Sequence, residues 1–183
     1  MKATGIVRRI DELGRIVIPK EIRKTLRIRE GDPLEIYTDR EGQVILKKYS
    51  PIGELSEFSQ EYCEALHEST GFIAMISDRD NIIAISGGSK KQYIEKRISP
   101  ELEKIVEGKD TFINMEKDEV IKIAYEDEST NIYTTQVIAP ILMQGDPLGS
   151  VILVSKDKDA SMGELEVKLV ETAAGFLSKQ MEN

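Results

Sequence analysis

The chain has 183 residues, with 25 basic against 33 acidic side chains and a formal net charge of −8. One cysteine, Cys63, and one histidine, His67, exclude an intrachain disulfide and a Cys/His zinc cluster, and no metal is expected. No apolar run approaches the roughly 18 residues of a membrane span, and the first residues lack a signal-peptide stretch, so a cytoplasmic protein is expected.

Residues 1–50 run against the acidic whole. They hold 12 basic and 8 acidic side chains, net +4, while residues 51–183 hold 13 and 25, net −12. A basic module on an acidic body points to a polyanion as partner of the small part. The break divides the chain into a module at 1–50, a short linker at 51–53 and a body at 54–183. Fifty residues lie near the lower limit of independent folding, and without disulfide or metal the remaining remedy is a second copy of the chain.

In chain order, residues 3–10 and 15–18 read as strands on either side of the turn Asp11-Glu12-Leu13-Gly14. Pro19 suits the first position of a helix running to Leu26, with Ile22 and Leu26 on one face and Lys20, Arg23, Lys24 and Arg27 on the rest. Residues 34–38 and 44–46 form a hairpin about Asp39-Arg40-Glu41-Gly42. Such a module holds about a dozen sizeable apolar side chains, which a lone copy would leave wet.

The run TGIVRRIDELGRIVIPKEIRKTLRIREGDPLEIYTDREGQVILKKY closely resembles the DNA-binding domain of AbrB-type transition-state regulators, the swapped-hairpin family. The resemblance implies an intertwined β-barrel dimer that binds double-stranded DNA through Arg8, Arg15 and Arg23. Lys24 falls where arginine is also found, and there it keeps the charge without the guanidinium fork. Lys2, Arg9 and Lys20 complete the candidate DNA-binding set. Arg40, Lys47 and Lys48 read as solvated charges. Without a long recognition helix, phosphate contacts and groove shape are expected to carry recognition, with strong salt dependence.

The body opens with an amphipathic helix over 54–70, carrying Leu55, Phe58, Tyr62, Ala65 and Leu66 and ended by Gly71. Strands at 72–77 and 82–86 flank the turn Asp78-Arg79-Asp80-Asn81. Helical stretches follow at 90–96 and 99–107, the second with Ser99 as cap and Pro100 at its first position. Residues 111–115 and 119–125 are weakly strand-like. Clearer strands at 133–139 and 148–155 are joined by a loop over 140–147, and a helix spans 162–181. An antiparallel sheet with flanking helices is expected, giving an α+β chain. The phrases AISGGSKKQYI, GDPLGSVILVSKD and ETAAGFLSKQMEN resemble the GAF-like domain of AbrB-family sporulation regulators. That resemblance implies a nucleoid-associated transcription regulator, tetrameric through the first and last helices of the body.

Other chemistry finds thin support. Gly87-Gly88-Ser89-Lys90-Lys91 lacks the P-loop pattern and reads as a tight turn with Ser89 as cap rather than an anion site. Cys63 and His67 share a helix face without a clear orienting carboxylate, so no catalytic residue and no cofactor are expected. Residues 126–131 are an acidic loop, read first as solvated and second as the cover of a pocket for an unknown small molecule. The rival functions are an antitoxin of the swapped-hairpin class and a ligand-binding or enzymatic GAF protein.

Overall fold

The computed structural model describes residues 5–54, 56–114, 119–127 and 133–182. The chain divides into two compact units, Met1–Tyr49 and Ser50–Asn183.

In the first unit, α1 spans Lys20–Leu26 and the strands β1, Leu34–Thr38, and β2, Val44–Lys48, pair in antiparallel register from Leu34↔Lys48 to Thr38↔Val44. Pro19 is the N-cap residue of α1, one place earlier than expected, and its carbonyl accepts the Arg23 N–H at 3.0 Å. Arg27 closes the helix in the left-handed region, φ 52°, and Ile28 N–H reaches back to the Arg23 carbonyl at 2.8 Å. Lys48 corrects the expectation of a solvated charge. Its Nζ donates to the Arg27 carbonyl at 3.0 Å and lies 3.6 Å from the Asp32 carboxylate, tying β2 to the end of α1.

Strands were expected at 3–10 and 15–18; residues 5–10 and 15–18 form none, and residues 3 and 4 lie outside the described chain. The two arms meet where Asp11 N–H donates to the Arg15 carbonyl at 3.1 Å, and neither arm is part of a paired strand among the described residues. A strand is a paired object, so apolar alternation alone does not make one. Among the described residues of this unit only Pro19 is buried.

The second unit is a five-stranded antiparallel sheet in the order β4-β3-β7-β6-β5. Its elements are α2 (Pro51–Glu54), α3 (Ser56–Thr70), β3 (Ile73–Asp78), β4 (Ile82–Ser86), α4 (Lys90–Tyr93), α5 (Pro100–Gly108), β5 (Phe112–Ile113), β6 (Thr135–Met143), β7 (Asp146–Ser155) and α6 (Glu164–Met181). β7 is central and its alternation supplies both faces. Val151 and Leu153 pack with residues of α3 and α6, while Ile152 and Val154 pack with residues of α4, α5 and the segment 120–124.

The remaining differences from expectation have local causes. The expected linker is a helical turn: Ile52 is 1% exposed in the core of this unit and Gly53 N–H donates to Ser50 Oγ. The loop expected over 140–147 is a tight hairpin, because Gln144 and Gly145 both adopt positive φ, 50° and 88°, as a two-residue turn requires. Pro140 is tolerated inside β6 because it follows Ile138 by two residues on the β5 side, where the short β5 has ended and no N–H is needed. The helix expected at 90–96 stops at Tyr93. Glu95 turns left-handed, φ 63°, and the chain returns to cover the edge of β4, with Glu95 N–H on the Ile82 carbonyl and Ile82 N–H on the Lys96 carbonyl.

Residues 119–125 form no strand, and only Phe112–Ile113 of the preceding stretch pairs; residue 115 lies outside the described chain. Residues 123–125 bridge to 97–99 by backbone bonds, Ser99 N–H to the Ile123 carbonyl and Tyr125 N–H to the Arg97 carbonyl, both at 2.8 Å, and at Ile121 a side chain replaces the ladder. The fully buried Gln136 amide accepts from Ile121 N–H at 2.9 Å and donates to the Ile121 carbonyl at 2.8 Å. Gln60 treats the β4 edge alike, donating to the Ile85 carbonyl at 3.1 Å and accepting from its N–H at 3.4 Å.

Candidate nucleic-acid interface

The basic surface is built around two features, the turn at 11–15 and helix α1. In the turn, Asp11 Oδ1 accepts from Leu13 N–H at 3.0 Å and Arg15 N–H at 2.8 Å, and Gly14 takes φ 76°, a conformation costly for any residue with a Cβ. The other carboxylate oxygen accepts from Arg15 Nε at 2.8 Å. These bonds, the Arg15 backbone first and its guanidinium second, hold the Asp11 carboxyl below its ordinary value. Arg8 Nη1 donates to the Val7 carbonyl at 3.2 Å, so its guanidinium stays at the surface.

On α1, Arg23 and Lys24 lie in the last turn, where cations complement the helix dipole, and Lys20 lies at the start. Lys20, Arg23, Lys24, Arg8, Arg9 and Arg15 are all exposed. Among the described residues Arg8, Arg9, Lys20, Arg23 and Lys24 make no ion pair, which leaves five of the candidate cations unneutralised. Lys2 lies outside the described residues. Beside this surface is an apolar cavity of about 370 Å³, lined by Ile16, Val17, Ile22, Leu26, Val44 and Leu46 among others, with Arg8 at its border.

The other candidates resolve into structure. Cys63 is fully buried, and burial pushes its thiol far above the ordinary range, so it is no nucleophile. His67 Nδ1 lies 2.7 Å from the Phe72 carbonyl, and the ring packs against Gly87, where a Cβ would stand 2.5 Å from Nδ1. Gly87, at φ 76°, is thus a packing turn. Ser89 occupies the N-cap place of α4, but its hydroxyl makes no capping bond, which corrects its expected role. In the acidic loop, Glu126 pairs with Lys96 Nζ at 2.7 Å and buried Asp127 accepts from Ala124 N–H at 2.9 Å; residues 128–131 lie outside the described chain. No group of three metal-ligating side chains occurs among the described residues, and none of their helices is long and apolar enough to cross a membrane.

Two families match the chain. One, described as stage V sporulation protein T C-terminal, transcription factor, covers residues 54–182. The other, described as antidote-toxin recognition MazE, bacterial antitoxin, covers residues 7–54. Stage V sporulation protein T of Bacillus subtilis (strain 168) is 57% identical over 182 residues, spanning 100% of this chain and 99% of that protein. The transition state regulatory protein AbrB of the same organism is 67% identical over 51 residues, 28% of this chain and 52% of that protein. The GAF domain of an Acinetobacter phosphoenolpyruvate-protein phosphotransferase shares the fold of the body at TM-score 0.59 and 12% identity, covering 74% of this chain and 84% of that one.

Proposed function

The chain belongs to the stage V sporulation protein T family, and we propose that it regulates sporulation genes by gripping duplex DNA with the arginines of a paired N-terminal unit. The observation that carries this reading is the exposed basic surface of Arg8, Arg15 and Arg23, of which only Arg15 is ion-paired among the described residues, within a stretch 67% identical to a transition state regulator. Lys2, Arg9, Lys20 and Lys24 add phosphate contacts, which position the protein without reading sequence. The antitoxin reading is set aside because its family match stops at residue 54, while a second unit with its own core runs from Ser50 to Asn183.

Pairing of the first unit is supported by its wet apolar side chains, among them Val7 at 85% exposure and Val17 at 73%. No monomer of this size is stable with its core in water. A tetramer through the body is supported by a second exposed patch, where Phe58 stacks on Phe176 at 5.6 Å and Tyr62 tilts against the same ring at 5.7 Å. These rings lie on α3 and α6, the helices expected to join dimers. The body has no catalytic constellation among its described residues and acts as a joining and sensing module. Its candidate ligand site is a cavity of about 360 Å³ lined by Lys91, Lys96, Glu126 and Asp127 among others. A metabolite that stabilises the chain in a thermal-shift series supports sensing, and no shift at millimolar ligand leaves the body a joining module.

The direct test is DNA binding. Arg8→Ala and Arg23→Ala should each weaken duplex binding about tenfold and lower the salt slope by about one, at unchanged melting temperature. Unchanged affinity and slope would remove the assignment. With DNA as its partner, the protein is placed at the nucleoid within the cytoplasm.

A further inference from the structure

One acid stands inside the basic surface. Asp11 makes its turn with Oδ1 alone, through the bonds to Leu13 and Arg15 N–H. The turn of the β1–β2 hairpin shows that nothing more is needed. There Asp39 Oδ1 accepts from Glu41 N–H at 2.9 Å and Gln43 N–H at 2.8 Å, Asp39 N–H donates to the Gln43 carbonyl, and Gly42 takes φ 80°, residue for residue the pattern of 11–15. The two turns, DELGR and DREGQ, differ in the second carboxylate oxygen. At Asp39 it has no partner among the described bonds, and at Asp11 it holds Arg15 by Nε at 2.8 Å.

That bond does little for stability, since the Arg15 and Asp11 side chains are 69% and 42% exposed. It also cancels a positive charge on a surface meant for phosphate. What it provides is orientation. With Nε engaged, the Nη1–Nη2 edge stays open, and this is the edge that grips a guanine or a phosphate with two parallel bonds. An arginine held before binding has less freedom to lose on binding.

We propose that Asp11 is a specificity-determining positioning residue, which aims Arg15 at one place on the duplex at the expense of general attraction to phosphate. The inference rests on the DNA-binding reading above. It predicts opposite effects on specific and non-specific DNA, which a merely structural role would not produce.

Asp11→Asn is the test. The amide oxygen can keep both backbone bonds, while the amide nitrogen now opposes Nε, donor against donor. The probes are a duplex enriched from a random pool by the wild-type full chain and poly(dI-dC), both titrated at fixed salt. In Asp11→Asn the enriched duplex should bind about fivefold more weakly and poly(dI-dC) equally or more tightly, so that the ratio of the two falls about fivefold or more. Arg15→Lys, which removes Nε and leaves the turn acid in place, should lower the ratio too; Asp39→Asn should not. In an Arg15→Ala background, Asp11→Asn should leave the ratio unchanged. An unchanged ratio in Asp11→Asn overturns the inference, as does an equal weakening of both duplexes with a lowered melting temperature, which would make Asp11 a turn former only. Wild-type chain that binds neither duplex would overturn the DNA-binding reading itself, and the inference with it.

Discussion

The two units distribute their apolar side chains in opposite ways. Every buried hydrophobic residue among those described lies in Ser50–Asn183, whereas twelve of the sixteen exposed large hydrophobics lie in Met1–Tyr49. The body closes its core within one chain, by a sheet covered on both faces. The basic unit presents the same residue types, Ile, Val and Leu at strand and helix spacing, with nothing of its own to cover them. Composition alone does not distinguish a core from an interface; the difference is whether the chain itself supplies the second layer.

Substitutions at matched apolar positions sharpen that contrast. The largest effect is expected for Val17→Asp. If the residue stayed in water, the change would cost within about 0.5 kcal/mol. Covered by a second copy it becomes a buried unpaired charge costing several kcal/mol, so chemical denaturation should show the first unit unfolded and DNA binding lost. In the body, Ile152→Ala, fully buried in the central strand, should cost about 2–5 kcal/mol in urea denaturation whatever the protein concentration. Gln136→Leu should come next, at roughly 1–3 kcal/mol per orphaned group, because it strands the N–H and C=O of Ile121. Phe176→Ala should lower the association state in sedimentation while leaving the fold of the body intact.

The smallest effect is a pH dependence confined to the basic unit. The Asp11 pKa is depressed from its ordinary 3.8, so its bonds to Arg15 are fully present above that value and are lost as pH falls through the lower, folded one. The Arg15 Nε–H resonance should therefore be constant from pH 7 to about 5 and shift only in the acid limb below the ordinary value.

Much of this organisation was legible in residue order. Local signals placed α1, the β1–β2 hairpin, the α5 cap at Ser99, whose hydroxyl accepts from Leu102 N–H at 3.0 Å, and the long helices α3 and α6. Apolar repetition at 3.6 or 2 residues reports burial directly. What stayed hidden depends on partners distant in sequence. Pro140 and Gly145 signal a loop, yet pairing with β7 carries the strand through the proline to Met143. Residues 119–125 alternate like a strand, but only 123–125 bond backbone to backbone, with 97–99, and at Ile121 Gln136 offers a side chain in place of a ladder. The exposure of Arg8, Arg9, Arg15, Lys20, Arg23 and Lys24 agrees with their reading as a basic surface. The role of Asp11 was not legible, because an acid in a turn looks the same whether one oxygen or two are in use.

On the proposed reading, the charge surplus of the first unit is a DNA grip assembled by pairing. Its most direct measurement is the slope of duplex affinity against salt for the full chain and for the combined Arg8→Ala, Arg15→Ala, Arg23→Ala variant at equal melting temperature. The slope should be steep for the natural chain and fall by about one for each phosphate contact removed. Equal slopes and affinities in the two proteins would contradict that reading.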